Sequence, residues 1–134
     1  MLLKSIKGIE MEKAIECLTK NYANFSGRAS RSEYWYFALF ISIGIVLLTI
    51  IDSLSGFYIY NSESNIGLFS AIFKLAIVVP QLAVSVRRLH DIDKSGWWWF
   101  LYAIPIIGAI WMLVLLCTKG TEGENRFGSD PLQA

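Results

Sequence analysis

Three long apolar runs, residues 34–51, 66–86 and 97–117, constrain this chain more than any other feature. They are 18, 21 and 21 residues long, against the roughly 20 helical residues that cross a hydrocarbon core. A helix of a water-soluble bundle keeps a polar face. Residues 41–51 carry only Ser42 and Thr49 as polar side chains. Charged residues are 17% of the chain, where a soluble domain has about a quarter. The sequence therefore predicts an all-α, polytopic helical membrane protein with three apolar segments, forming a single membrane domain over residues 1–134.

Charge placement sets an expected orientation. Residues 1–33 hold six basic and four acidic residues, and residues 87–96 hold three basic and two acidic. Residues 52–65 hold two acidic residues and no basic one. Basic flanks stay cytoplasmic, so the N-terminus and the 87–96 loop are expected inside and the 52–65 loop outside. The first ten residues contain Lys4, Lys7 and Glu10 and no apolar core with a cleavage site, so no cleaved signal peptide is predicted. A net charge of +1 argues against a nucleic-acid partner. Cys17 and Cys117 have neither a metal-ligand spacing nor a disulfide framework.

Residues 8–24 read as an N-terminal amphipathic helix. Met11, Ala14, Ile15, Leu18 and Tyr22 recur at helical spacing, with Glu10, Glu12, Lys13, Glu16 and Lys20 largely elsewhere. Such a helix suits the headgroup layer or the ends of membrane helices. Gly27 breaks it, and Ser30 with Glu33 has the spacing of a capping box for the next helix. The first membrane helix then opens on Tyr34, Trp35 and Tyr36 and is expected to stop near Asp52 or Gly56. Asn65 can cap the second.

In the second segment Ser70, Lys74, Gln81, Ser85 and Arg88 fall on one side of a helical wheel. A polar stripe within a membrane should face protein or water. Lys74 can snorkel, pair with Asp52, or line a solute or ion path. Pro80 can kink the helix. The third run opens on Trp97-Trp98-Trp99 and is interrupted by Pro105 and Gly108. A single kinked crossing is the default expectation, since 21 apolar residues match one span. The alternative is a re-entrant turn at Pro105–Gly108 that returns the polar tail, residues 118–134, to the side it left.

Arg87-Arg88-Leu89-His90-Asp91 is the densest polar cluster. It reads as a topology anchor, as a site for an anionic headgroup, or as an internal network with Arg28, Arg31 and Glu33. Arginine's planar fork suits phosphate and carboxylate alike. His90, the only histidine, reads as a structural hydrogen-bonding group before a catalytic one. In the tail, Asn125, Arg126 and Asp130 can form a polar knot that docks on the core, and Phe127 needs a surface to cover it. The tail glycines lack the phosphate-loop pattern. No nucleophile–histidine–acid arrangement is evident, so no catalytic residue, cofactor or metal is assigned.

Three motifs then stand in order. They are Tyr22-x-x-Phe25-x-Gly27-Arg28-Ala29-x-Arg31-x-Glu33-Tyr34-Trp35, Arg87-Arg88-Leu89-His90-Asp91 with Ser95 and Trp97-Trp98, and Gly120-x-x-Gly123-x-Asn125-Arg126-Phe127-Gly128-x-Asp130-Pro131. In these the chain resembles the DUF805 family of small bacterial inner-membrane proteins of unknown function. The resemblance implies an inner-membrane, multi-pass helical domain without an assigned cofactor or catalytic residue, and implies that the three motifs belong together. The expected function is a non-catalytic membrane protein that assembles with itself or with larger membrane proteins. The rivals are a small transporter or channel using the Ser70–Lys74–Gln81–Ser85 face, and a protein holding anionic lipid. For lipid, the candidate residues are Arg28, Arg31, Arg87, Arg88, His90, Asp91 and Arg126.

Overall fold

The computed structural model describes residues 2–59 and 66–133. They form α1 (Leu2–Glu16), α2 (Arg31–Ser55), α3 (Leu68–Asp91), a 3-10 helix (Gly96–Ala103) and α4 (Ile107–Cys117). At about 1.5 Å per residue, the 25 residues of α2 and the 24 of α3 each exceed a hydrocarbon core of roughly 30 Å. Both are apolar enough to cross a membrane. The 11 residues of α4 reach about half that depth.

The helix ends follow local chemistry. Ser30 Oγ accepts the Glu33 N–H at 3.1 Å, so Ser30 caps α2 as its spacing predicts. Glu33 does not complete the capping box, because its carboxylate pairs with Arg87. Gly56 closes α2, its N–H donating to the Asp52 carbonyl at 3.0 Å. The α2–α3 connection is pinned by the Ile59 N–H on the Ile66 carbonyl and the Leu68 N–H on the Phe57 carbonyl, both 3.0 Å. Asn65, expected as a cap, and the rest of the polar loop at 60–65 lie outside the described residues. Phe37 and Ile41 of α2 join Ile77 and Val84 of α3 in one buried cluster. Gly44 lets the helices approach, since a methyl group there would sit 2.9 Å from the Phe73 ring.

The N-terminal helix differs from expectation. It spans Leu2–Glu16 rather than residues 8–24, and residues 17–23 form turns. The Cys17, Leu18 and Thr19 N–H groups bond three residues back, the tighter winding in which helices commonly fray. Thr19, Asn21 and Asn24 follow, residue types that compete for backbone hydrogen bonds. Spacing alone does not register this change, because tight turns keep similar periodicity. Ala14 and Cys17 face the core, while Met11, Ile15, Leu18 and Tyr22 face outward. Glu10, expected on the polar side, is buried. It accepts hydrogen bonds from Ser30 Oγ at 2.7 Å and Ser32 Oγ at 2.6 Å, tying α1 to the first turn of α2.

Pro80 lies inside α3, and the helix runs on through it. Proline has no N–H, so the carbonyl four residues earlier, Ala76, loses its helical partner. The Tyr22 hydroxyl donates to that carbonyl. In an apolar surrounding an unpaired carbonyl costs several kcal/mol, so Tyr22 repairs the defect that Pro80 makes.

The third run is not one helix. The 3-10 helix and α4 meet at Ile104–Ile106, where Ile106 has φ 64° and ψ −67° and the Ile107 N–H bonds the Pro105 carbonyl at 2.8 Å. This is a γ-turn with positive φ, rare and strained for a branched residue. A methyl group on Gly108 would sit 1.8 Å from the Leu101 carbonyl oxygen, so the two arms are folded together. Gly96 lies against Val86, and the Cys117 carbonyl faces Arg31. Both ends of the run therefore lie at the end of the helix pair that holds the N-terminus of α2 and the C-terminus of α3. The expected single kinked crossing would have separated the tail from that end.

Candidate functional site

The C-terminus of α3 gathers the polar motifs. Arg87 and Arg88 are adjacent, so a helix turns them about 100° apart. Arg87 faces α1 and α2. It donates to Glu33 Oε1 at 2.7 Å and to Cys17 Sγ at 3.3 Å, and its Nε is buried without a partner among the described residues. Burial first, then the Glu33 charge, pushes the Cys17 thiol up to about 11. Cys17 is thus a neutral packing group at physiological pH, not a nucleophile.

Arg88 faces the hairpin. Its Nε donates to the Leu116 carbonyl at 3.1 Å, and its terminal nitrogens to the carbonyls of Ala29 (3.4 Å) and Thr118 and to Asp91. The other Asp91 oxygen accepts from Arg28 Nε at 2.9 Å. Arg28 spends its remaining donors on the carbonyls of Thr121 (2.5 Å), Gly123 (2.6 Å) and Gly128 (3.3 Å). One buried carboxylate thus bridges two buried guanidiniums, and the tail backbone supplies the other acceptors. Such a cluster survives burial only because every charge has partners. Gly120 is required for it, since a methyl group there would lie 2.1 Å from Asp91 Oδ2.

The tail continues the cap. The Thr121 N–H and the Asn125 side-chain amide bond the carbonyls of Asp91 (2.8 Å) and His90 (3.0 Å), satisfying groups a helix end leaves open. Asp130 accepts the Leu132 N–H at 3.0 Å and the Gly123 N–H at 3.1 Å, and these contacts hold its carboxyl below the usual range. Lys13 of α1 donates to the Pro131 carbonyl at 3.1 Å. His90 Nδ1 lies 3.0 Å from the Gly27 carbonyl. A carbonyl can only accept, which places the proton on Nδ1. The Phe127 ring stacks on His90, centroids 4.0 Å apart and planes within 5°, supplying the cover that Phe127 needs. Arg126 stays at the surface, 3.1 Å from Asp93.

The polar stripe of α3 is divided. Ser70 and Lys74 line a cavity of about 360 Å³ with Thr49, Asp52 and Tyr58 at the far end of the helix pair. Ser85 is buried and donates to the Gln81 carbonyl at 2.7 Å, close to Tyr34 at the arginine end. At the far end Asp52 Oδ1 accepts the Phe69 N–H and Oδ2 the Ser70 N–H, both 2.9 Å. Asp52 therefore caps α3 from another helix, the role expected of Asn65. A methyl group on Gly67 would come within 2.0 Å of Asp52 Oδ2.

Of the seven candidates for lipid, Arg28, Arg87, Arg88, His90 and Asp91 are engaged in internal bonds, with Arg87 Nε left over. Arg126 is paired at the surface, and Arg31 alone is exposed without a carboxylate partner among the described residues. Glu10 and Tyr22 were not foreseen as binding groups of the framework, and Asp52 was foreseen only as a partner for Lys74, not as the cap of α3. Only Pro80, four residues beyond Ala76 and thus freeing its carbonyl, left a signal that could have pointed to Tyr22.

Comparison with known proteins agrees with the motif pattern. Residues 22–129 match the family described as a protein of unknown function, DUF805. Inner membrane protein YhaH of Escherichia coli K12 is 44% identical over 112 residues, covering 84% of this chain and 90% of the relative. Inner membrane protein YhaI of the same organism is 43% identical over 112 residues, covering 84% and 89%. The uncharacterized protein YiiR is 26% identical over 132 residues, covering 80% and 85%. No solved structure matches the chain significantly.

Proposed function

The chain belongs to the DUF805 family, and from that premise we propose that it is a non-catalytic protein of the bacterial inner membrane that assembles with itself or with larger membrane proteins. Two relatives carry inner-membrane names, and α2 and α3 are long and apolar enough to span. The hairpin of residues 97–117 enters and leaves on one side as a re-entrant element, and its turn presents Ile104, Ile106 and Ile107 outward. The N-terminus, the Arg87–Asp91 motif and the tail then share the cytoplasmic face.

One observation carries the reading. Apart from Arg31, the arginines and Asp91 of the three motifs are engaged with carboxylates, guanidiniums and backbone carbonyls of this chain, so the chemistry of the site is that of a clasp. What faces outward is apolar: Ile43, Val46, Leu47 and Ile50 on α2, and Leu75 and Val78 on α3. Those faces are the surfaces for association. The divided stripe on α3 gives the channel alternative less support, because Ser85 is buried against its own helix.

The test is cysteine cross-linking in native membranes, with single cysteines at Leu47 and Val78 in a chain lacking Cys17 and Cys117. A cross-linked species at one helix face and not the other is expected. Absence of any cross-link, to itself or to another protein, at both positions and at a third on Ile43 overturns assembly through these faces.

A further inference from the structure

Arg31 stands apart from the other arginines at this end. Arg28, Arg87, Arg88 and Arg126 each hold a carboxylate. Arg31 gives one long hydrogen bond, 3.4 Å, to the Cys117 carbonyl. The buried Arg88 guanidinium bonds the carbonyls of Leu116 and Thr118, which flank the Cys117 carbonyl that Arg31 meets. Lys119 is held by Glu122. An anion at Arg31 would meet a cation with no described carboxylate in ion-pair contact, since Asp91 is held by Arg28 and Arg88 and Glu122 by Lys119.

Arg31 also heads a cavity. About 620 Å³ opens between the first turns of α2 and the end of α4, lined by Arg31, Ser32, Trp35, Tyr36, Leu39 and Cys117. That volume is within the range of small-molecule sites, about 300–1,000 Å³. The lining is graded. A guanidinium and a hydroxyl stand at the start of α2, two aromatic rings follow one turn on, and Leu39 lies about 12 Å along the axis. A soluble anion would cover only the top of this cavity. An amphiphile covers all of it, with its phosphate at the cation and a chain along the rings, the depth at which Trp and Tyr sit in a bilayer.

We propose that this cavity binds one anionic phospholipid, its phosphate on Arg31 and an acyl chain against Trp35 and Leu39. The proposal rests on the membrane placement given above and not on assembly. It moves the lipid site away from Arg28, Arg87 and Arg88, which are buried and each paired with a carboxylate, to the one guanidinium of this end that is exposed and has no described carboxylate within ion-pair distance.

The experiment is native mass spectrometry of the full chain in neutral detergent with equal amounts of phosphatidylglycerol and phosphatidylcholine. The wild type should retain phosphatidylglycerol in roughly tenfold excess, the scale of one charge-assisted contact. Arg31→Gln should bring the ratio near one, and Arg126→Gln should leave it unchanged. Leu39→Trp, which fills the cavity and keeps the charge, should lower retention of both lipids. An unchanged ratio in Arg31→Gln overturns the site, and so does full retention in Leu39→Trp, which would mean surface charge alone. A lipid-free dimer overturns it as well, since a second copy would then occupy the cavity. The same spectra report oligomer mass, so a lipid-bearing monomer would refute self-assembly and leave this site standing.

Discussion

At both ends of the α2–α3 pair a buried aspartate is pressed against a glycine, and the two are neutralised differently. Asp52 receives two backbone N–H groups from the start of α3. Asp91 receives two guanidiniums. At the far end the partners are dipoles that any sequence would supply, and the cap needs only the carboxylate and room for it at Gly67. At the arginine end the partners are charges drawn from residues 28 and 88, with carbonyls from 116 to 128 completing them. A dipole cap fails locally when broken. A charge network fails through every member, because removing one ion leaves others buried and unpaired.

The largest test of that difference is Asp91→Ala. It strands Arg28 and Arg88, and a loss of about 3–5 kcal/mol is expected in detergent unfolding. Asp52→Ala removes a helix cap and should cost about 1 kcal/mol. Equal losses would erase the distinction. The glycines sharpen it: Gly120→Ala and Gly67→Ala should each cost about 1–3 kcal/mol through crowding. In the matching alanine backgrounds, Asp91→Ala and Asp52→Ala, most of that cost should vanish, as a double-mutant cycle would read. The smallest effect belongs to Arg126→Gln, an exposed pair with Asp93. It should change stability by less than about 0.5 kcal/mol, and a larger loss would extend the network to the surface.

Several of these features were legible in the sequence. The Ser30 cap, the stop of α2 at Gly56 and the two full spans follow from residue type and run length. The convergence of the three motifs was implied by the family resemblance, not by periodicity. The hairpin was visible only as an alternative at Pro105 and Gly108. Run length counts apolar residues and carries no information on whether the chain continues or turns. Glu10 was misplaced because a helical wheel shows which residues share a face and not which face meets α2. Asp52 was missed as a cap because its partners are 17 and 18 residues away, beyond the range of a local capping pattern.

The order in which a ribosome makes the chain gives the clasp a further meaning. Arg28, Arg88 and Asp91 are synthesised well before the carbonyls of residues 116, 118, 121, 123 and 128 that saturate the two arginines. Until residues 116–128 emerge, the guanidiniums can be solvated but not buried. A chain released early keeps two membrane helices and an open polar end. Closure of the clasp is thereby a late packing step, and a copy lacking residues 116–128 is physically distinguishable from one that has them.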